Sequence, residues 1–161
     1  MAPMPADPRA PEANNRSAVL KLVGPDSASF TMWMAGDAER EEIAWFERAG
    51  YARAPGMRAD VLKADHHGSC NGTSARYLDL VRPAWVVASL GAVNDYGHMH
   101  EQTKQLLTQR RLPWYRTDQN GTVTIRTPGT PRGGYTITPE RGTTNMAGPS
   151  DKWSTQEKCR E

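Results

Sequence analysis

The sequence predicts an α/β domain with a mixed β-sheet and flanking helices, and three features carry this prediction. Strand-like alternation and helical spacing of apolar residues follow each other repeatedly over residues 17–138. Two strand-like segments, 17–23 and 29–35, flank a Gly-Pro-Asp turn, which is typical of a hairpin. Residues 85–90 read WVVASL, a continuous apolar run that indicates a strand buried on both faces of a parallel sheet.

The first predicted helix covers residues 37–50. Ile43 and Phe46 lie at helical spacing, and glutamates in the first turn complement the positive end of the helix dipole. Gly50 is a natural stop because glycine readily adopts the left-handed conformation found just past helix ends. A short strand is predicted to follow at 59–64.

The rest of the domain alternates in the same way. Helices are predicted at 74–81 and 100–111, on either side of the apolar strand. Three more strands are predicted at 114–117, 122–127 and 134–138. Asn120-Gly121 lies between the first two of them and predicts a hairpin that joins them.

The chain is expected to consist of one domain and two flanking segments. Residues 1–13 contain four prolines and no apolar periodicity, which predicts a disordered leader. Residues 14–138 form the domain. Residues 139–161 are rich in glycine, threonine, asparagine, serine and charge, which predicts a polar, irregular tail.

Composition excludes several classes of protein. The 161 residues include 20 basic and 18 acidic side chains, a balance that argues against a strongly basic nucleic-acid arm and an acidic tail. No apolar run approaches the roughly 18 residues that a membrane span needs. The first residues lack the apolar stretch of a secretory signal, and two cysteines are too few for a disulfide framework. We therefore expect a soluble, cytoplasmic protein.

Three apolar strands each lead into a glycine-containing turn that carries metal-ligand residue types. These turns contain Asp37, then His66 and His67, then His98 and His100, and so include all four histidines. The carboxyl ends of strands meet at one edge of an α/β sheet, so we expect these side chains to converge. A carboxylate with imidazoles suits zinc or manganese, and such an ion lowers the pKa of a bound water to about 7.

Each of these residues also has a purely structural interpretation. Asp37 precedes a helix and can be its N-cap. The adjacent pair His66 and His67 can be solvent-exposed, and the other two histidines can be loop residues without a role. Cys70 adjoins the pair and is either a further ligand or an inert thiol. It is the combination of these residues that favours a metal site.

Basic and aromatic residues alternate near one predicted strand: Arg110, Arg111, Trp114, Tyr115 and Arg116. Such a segment can contact a nucleic-acid backbone and stack a base. The alternative is the solvated end of a helix, which we favour.

Five segments of the chain carry a family resemblance: NNRSAVLKL (14–22), MAGDAE (34–39), ADVLKADHHGS (59–69), NDYGHMH (94–100) and YRTDQNGTVTI (115–125). Together they resemble the metallo-β-lactamase superfamily, specifically the hydrolase domain at the C-terminus of ComEC-type DNA-uptake (competence) proteins and its stand-alone relatives. They occur in the family's order with similar separations.

The resemblance implies an αββα sandwich with a metal site at the edge between its two sheets. Asp37 corresponds to an aspartate that bridges two metals, and one histidine of the HHG segment to a ligand of the second metal. We assign His67 to the metal and His66 to the substrate side, although the order of the two is open. His98 corresponds to a substrate-side residue that contacts a phosphate.

The chain also departs from the family pattern. The H-x-H-x-D-H segment, which supplies most ligands of the first metal, is absent from the sequence, and Met99 stands where the family usually has proline. We therefore expect only the C-terminal half of the sandwich and an incomplete two-metal site. A sheet face without its counterpart implies a partner that carries the other half, or self-association, with Trp33, Trp45 and Trp85 as candidates for the exposed patch.

Three functional hypotheses follow. The first is a metal-dependent hydrolase of phosphodiester or related bonds, which needs the partner's half and has nucleic acid as a possible substrate. The second is a catalytically inactive remnant that acts as a binding or interaction module. The third is a nucleic-acid-binding subunit without catalysis, which the charge balance does little to support.

Overall fold

The structure is a computed structural model that describes residues 13–24, 30–53, 56–128 and 134–148. It confirms the α/β class and the mixed sheet. The sheet has the order β1-β2-β3-β4-β5, with β1 antiparallel to β2 and the other neighbours parallel. Its strands are β1 (Leu20–Val23), β2 (Thr31–Met34), β3 (Val61–Lys63), β4 (Trp85–Ala88) and β5 (Trp114–Arg116).

Three helices occupy the connections between the strands, close to their predicted positions. They are α1 (Arg40–Arg48), α2 (Ala75–Val81) and α3 (Glu101–Gln109), and a short fourth, α4 (Thr117–Asn120), follows β5. A separate antiparallel pair consists of β6 (Val123–Arg126) and β7 (Thr136–Pro139). Single 3-10 turns lie at Ala13–Arg16 and Asp65–Gly68.

Side chains alternate between the two faces of the sheet, and each face has its own apolar cluster. The larger cluster joins sheet residues to the helices; it includes Trp33, Leu62, Val86, Phe46 and Leu107. The smaller cluster on the other face centres on Phe30, Val61 and Val87 and packs against the β6–β7 pair, through Val123, Ile125 and Ile137 among others.

The predicted hairpin at Asn120-Gly121 is wrong. The Asn120 side chain is buried, and its Oδ1 accepts a hydrogen bond from the backbone N–H of Arg116 at 2.9 Å. Its Nδ2 donates to the carbonyl oxygens of Arg141 and Thr143, both at 3.0 Å. Because these bonds close a helical turn after β5, the chain leaves the main sheet and β6 pairs with β7 instead.

The interpretation of Asp37 as a helix N-cap is also wrong. Helix α1 begins two residues later, with Glu39 at the N-cap position and no hydrogen bond from the Glu39 side chain to the helix. The cap comes from a distant residue: Asn15 Oδ1 accepts the backbone N–H groups of Glu39 and Glu42, at 3.1 and 3.2 Å. Asp37 is therefore not needed to start the helix.

The three tryptophans expected to form an exposed apolar patch are not exposed. Trp33 is fully buried on the helix-covered face, while Trp45 and Trp85 are partly buried. The exposed apolar side chains of the sheet are on its edge strand β1, where Leu20 is 61% and Leu22 is 53% exposed. They pair with Met34 and Met32 of β2 in the register of the sheet.

The two predicted flanking segments are described only in part, since residues 1–12 and 149–161 lie outside the described ranges. Residues 140–148 have no regular secondary structure and lie against β5. There, Asn145 exchanges two hydrogen bonds with the backbone of Trp114, at 2.9 and 3.0 Å. Among the described residues, no helix is both long and apolar enough to cross a bilayer.

Candidate functional site

The turns that follow β2, β3 and β4 meet at one edge of the sheet and bring the four histidines together. The His98 ring lies at the centre of this cluster, with its centroid 5.1 Å from that of His66, 5.7 Å from that of His67 and 4.9 Å from that of His100. The parallel pairing of the strands causes this convergence, because it places their carboxyl ends side by side.

The HHG turn has an unusual backbone. His66, His67 and Gly68 have φ angles of 46°, 56° and 80°, three consecutive residues in the left-handed region. For a residue with a Cβ this conformation costs about 1–2 kcal/mol. A Cβ on Gly68 would also lie 2.6 Å from Cγ of Met99, so only glycine fits there. The turn directs both imidazoles into the cluster.

Asp37 and His67 face each other across the site. Oδ1 of Asp37 lies 3.5 Å from Nε2 of His67, and both side chains are partly open to solvent. Nδ1 of His67 lies 2.6 Å from the carbonyl oxygen of Ser89. Since a carbonyl oxygen only accepts, Nδ1 carries the hydrogen of this contact, and Nε2 is the nitrogen that faces Asp37.

The separation of these two atoms suits a shared divalent ion. At 3.5 Å the contact is too long for a normal hydrogen bond. Two ligands held by one zinc ion at about 2.0–2.1 Å and tetrahedral angles lie roughly 3.4 Å apart. A histidine whose Nδ1–H binds a backbone carbonyl is also the usual arrangement of a metal ligand. Within the described ranges, no set of three or more His, Cys, Asp or Glu side chains is arranged to hold one ion.

The loop that carries Asp37 is held by residues to which the sequence alone assigns no role. Ser17 Oγ accepts the backbone N–H of Asp37 at 2.9 Å. Gly36 has a φ of 61°, and a Cβ there would lie 3.0 Å from Ser17. Lys63 Nζ donates to the carbonyl oxygens of Gly36 and Ala64, both at 3.3 Å. These contacts tie the Asp37 loop to the start of the HHG turn and place a cation beside the site.

His66 lies next to the carboxylate of Glu39. Its Nδ1 is 2.8 Å from Oε1 of Glu39, an ion-pair distance without the direction of a good hydrogen bond. Glu39 also accepts a hydrogen bond from Asn14 Nδ2 at 3.0 Å. Glu39 is therefore a site residue that sequence reasoning missed; its position two residues after Asp37, in the same turn, was the available signal.

His98 is buried at the centre of the cluster. The Asn94 side chain brackets it, accepting the His98 N–H at 2.7 Å and donating to the His98 carbonyl oxygen at 2.9 Å. Burial, and secondarily the neighbouring imidazoles of His100, His66 and His67, lower the pKa of His98 to about 3. Its ring is therefore neutral at physiological pH.

His100 is buried next to His98. Its Nε2 lies 3.1 Å from the carbonyl oxygen of Tyr96, and its Nδ1 accepts the Cys70 N–H at 3.3 Å. Both ring nitrogens are thus engaged with neighbouring groups, and His100 also occupies the N-cap position of α3.

Two carboxyl groups are buried behind the site. Burial raises the pKa of Asp65 well above its usual value, an effect that the nearby Tyr77 hydroxyl and Lys63 partly oppose. No hydrogen bond of normal geometry reaches either Asp65 oxygen within the described part of the chain. Burial also raises the pKa of Glu42 to about 7. These groups favour their protonated forms more than ordinary carboxylates do.

The part of the basic and aromatic segment that forms β5 is buried. Arg116 is fully buried and forms a two-bond ion pair with Asp118, with Nε to Oδ1 at 2.7 Å and Nη2 to Oδ2 at 2.5 Å. Trp114 and Tyr115 are buried as well. Arg110 pairs with Asp79 on α2. The burial of Trp114, Tyr115 and Arg116 argues against a nucleic-acid contact through them. Arg110 and Arg111 are exposed just past α3, which agrees with the favoured interpretation as the solvated end of a helix.

Two curated proteins are similar in sequence to most of this chain. The chain is similar to one part of ComE operon protein 3 of Bacillus subtilis (strain 168). The two are 34% identical over 122 residues, which is 74% of this chain. A second relative, Competence protein ComA of Neisseria gonorrhoeae, is 28% identical over 131 residues, or 81% of this chain. The name of this second relative refers to competence.

The chain spans only a small part of the curated relatives it matches. It covers 15% of the length of ComE operon protein 3 and 18% of that of Competence protein ComA. No protein-family model matches the chain. No solved structure matches it either.

Proposed function

We propose that this chain forms part of a metal-dependent hydrolase of phosphodiester bonds that serves DNA uptake. The observation that carries the proposal is the pair formed by Asp37 Oδ1 and His67 Nε2, 3.5 Å apart, with His67 oriented by the carbonyl oxygen of Ser89. The similarity to competence proteins supports the biological context.

In this proposal Asp37 and His67 hold a divalent ion, zinc by its ligand preference, with manganese as the alternative. When bound, the ion supplies Lewis acidity and lowers the pKa of water toward 7. The roles of the remaining histidines concern the substrate. His98, neutral and fixed by Asn94, offers a hydrogen bond to a phosphate oxygen, and His66 faces the substrate while Glu39 limits its rotation.

The proposal includes a partner that supplies the remaining ligands and covers one face of the sheet. The β6–β7 pair packs on that face around Val61 and Val87. Over the edge strand β1, by contrast, Leu20 and Leu22 stay more than half exposed. Apolar area of this kind is typical of an interface, and a segment that carries the H-x-H-x-D-H ligands is its proposed occupant.

Zinc titration of the purified chain tests the metal site. We expect calorimetry and metal analysis to show binding of fewer than two zinc ions per chain. Asp37→Ala and His67→Ala should each weaken that binding by about tenfold or more, because each removes one ligand. Asp95→Ala is the matched control: it removes an exposed carboxylate from a neighbouring loop and should leave the zinc affinity unchanged.

Two results of the titration would contradict the proposal. Unchanged zinc binding in both ligand variants would show that the histidine cluster holds no metal. Two tightly bound ions per chain, together with strong phosphodiesterase activity of the chain alone, would show that no partner is needed. Measurable zinc binding by a chain that stays inactive when the H-x-H-x-D-H segment is added would favour the inactive binding module instead.

A further inference from the structure

An exposed aromatic ring adjoins the histidine cluster. Tyr96, in the turn before His98, is 71% exposed. Its ring is stacked on that of His98, with centroids 5.7 Å apart and planes within 22° of each other. The His98 ring is in turn stacked on that of His67, at 5.7 Å and 29°. The three rings form one column that runs from solvent to the proposed metal ligand.

We infer that the outer face of Tyr96 binds a base of a single-stranded nucleic acid, and that a phosphodiester of the same strand lies at Asp37 and His67. This inference rests on the proposed function. A base has a flat π-face, and stacking on an exposed aromatic ring is how proteins hold single strands without sequence preference. His98 is the one ring between Tyr96 and His67 in this column, so a strand with a base on Tyr96 can place a neighbouring phosphodiester at the proposed metal ligands.

The inner part of the column provides a firm support for such stacking. His98 is buried, and Asn94 holds its backbone through two hydrogen bonds. Nε2 of His100 lies 3.1 Å from the carbonyl oxygen of Tyr96, a contact that helps to hold the Tyr96 backbone. A ring supported in this way loses little conformational freedom when a base stacks on it.

Charge at the inner end of the column sets a condition for binding. Asp37 and Glu39 lie there with Lys63 nearby, so the acidic groups outnumber the basic one. A phosphate is repelled from this end until a divalent ion is present. We therefore expect strand binding to require zinc.

The test compares two strands that differ only in their bases. Fluorescence anisotropy with the full chain and saturating zinc measures the affinities of a short oligothymidine and an abasic strand with the same number of phosphates. The wild-type chain should bind oligothymidine about tenfold more tightly, within the range that one stacked base provides. Tyr96→Ala should abolish this preference, and Tyr96→Phe should keep it.

Val93→Ala is the matched control, since Val93 is 60% exposed in the same loop and contributes no ring; it should keep the preference. Equal affinity of the wild-type chain for the two strands overturns the inference, as does a preference that survives in Tyr96→Ala. If Tyr96→Ala unfolds the loop, two other measurements still test the inference. These are the ratio of the wild-type chain's affinities for the two strands and the preference for oligothymidine in Tyr96→Phe. Zinc binding is measured without nucleic acid, so failure of the proposed function is seen separately from failure of the stacking.

Discussion

Nδ1 of His67 lies 2.6 Å from the carbonyl oxygen of Ser89, the residue that follows the end of β4. This contact determines which ring nitrogen is available to a ligand. Because the carbonyl oxygen accepts a hydrogen from Nδ1, Nε2 is the nitrogen left to face Asp37 on the neighbouring loop. The sheet itself thus orients the imidazole, since the acceptor belongs to the backbone at a strand end.

The tautomer of His67 follows directly from this contact. We expect Nδ1 to carry a hydrogen in the metal-free chain, and zinc should shift the resonance of Nε2. Two-dimensional ¹⁵N NMR of the imidazoles measures both, with His67→Gln providing the assignment. Observation of the Nε2–H form would contradict this orientation of the ring.

Gly68→Ala should destabilise the chain by about 2–4 kcal/mol, the sum of a left-handed backbone penalty and steric overlap. The overlap arises because the new Cβ would lie 2.6 Å from Cγ of Met99. Gly50→Ala separates the two effects, since Gly50 has a φ of 84° but a methyl group added there would meet no atom within 4 Å. In urea denaturation, Gly50→Ala should lose only the free energy of the backbone penalty. Equal losses of unfolding free energy in the two variants would contradict a steric overlap at Gly68.

Glu42 should make the chain less stable as the pH rises. Its pKa is raised from 4.5 to about 7 in the folded state, so folding favours the protonated form. The stabilisation is present below about pH 4.5 and is lost as the pH rises through 7. Glu42→Gln should remove this dependence and gain about 3 kcal/mol relative to the parent between pH 5 and 8. Parallel stability profiles of the two proteins, from urea unfolding at several pH values, would contradict the raised pKa.

Asn15→Ala should destabilise the chain by about 1–2 kcal/mol, because it removes the side-chain cap of α1. Asn15 is buried, and its Oδ1 accepts two helix N–H groups. Asn14→Ala is the control, since Asn14 Nδ2 donates to the Glu39 side chain and not to the helix backbone. Thermal unfolding of the two variants should therefore show a clearly larger loss for Asn15→Ala than for Asn14→Ala.

Much of the fold could be predicted because its signals are local. The continuous apolar run around β4 reflects a central strand that is almost wholly buried. Gly50 lies just past the end of α1 in the left-handed conformation, as its position predicted. The prediction failed at Asn120-Gly121, where a dipeptide typical of hairpins is used instead to end a helical turn through buried side-chain hydrogen bonds.

The residues that support the site could not be predicted from local pattern. Ser17, Asn15 and Ser89 act through contacts between segments distant in sequence, such as the bond from Asp37 N–H to Ser17 Oγ across 20 residues. The buried groups Asp65 and Glu42 look like ordinary acidic residues in the sequence. Only the tertiary structure shows that they are buried away from the water that normally stabilises a charged carboxylate.

The sequence by itself determined the order of the strands and of the three longer helices along the chain, and the residue types at the site, since hydrophobic periodicity and the composition of the turns are local properties. It placed Asp37 and the histidines at the ends of strands. Only the tertiary structure decided which nitrogen of His67 is available, that Asp37 is not a helix cap, and that Tyr96 continues the line of histidine rings. Those features depend on distances of a few ångströms between separate loops, and parallel pairing of the strands is what sets these distances.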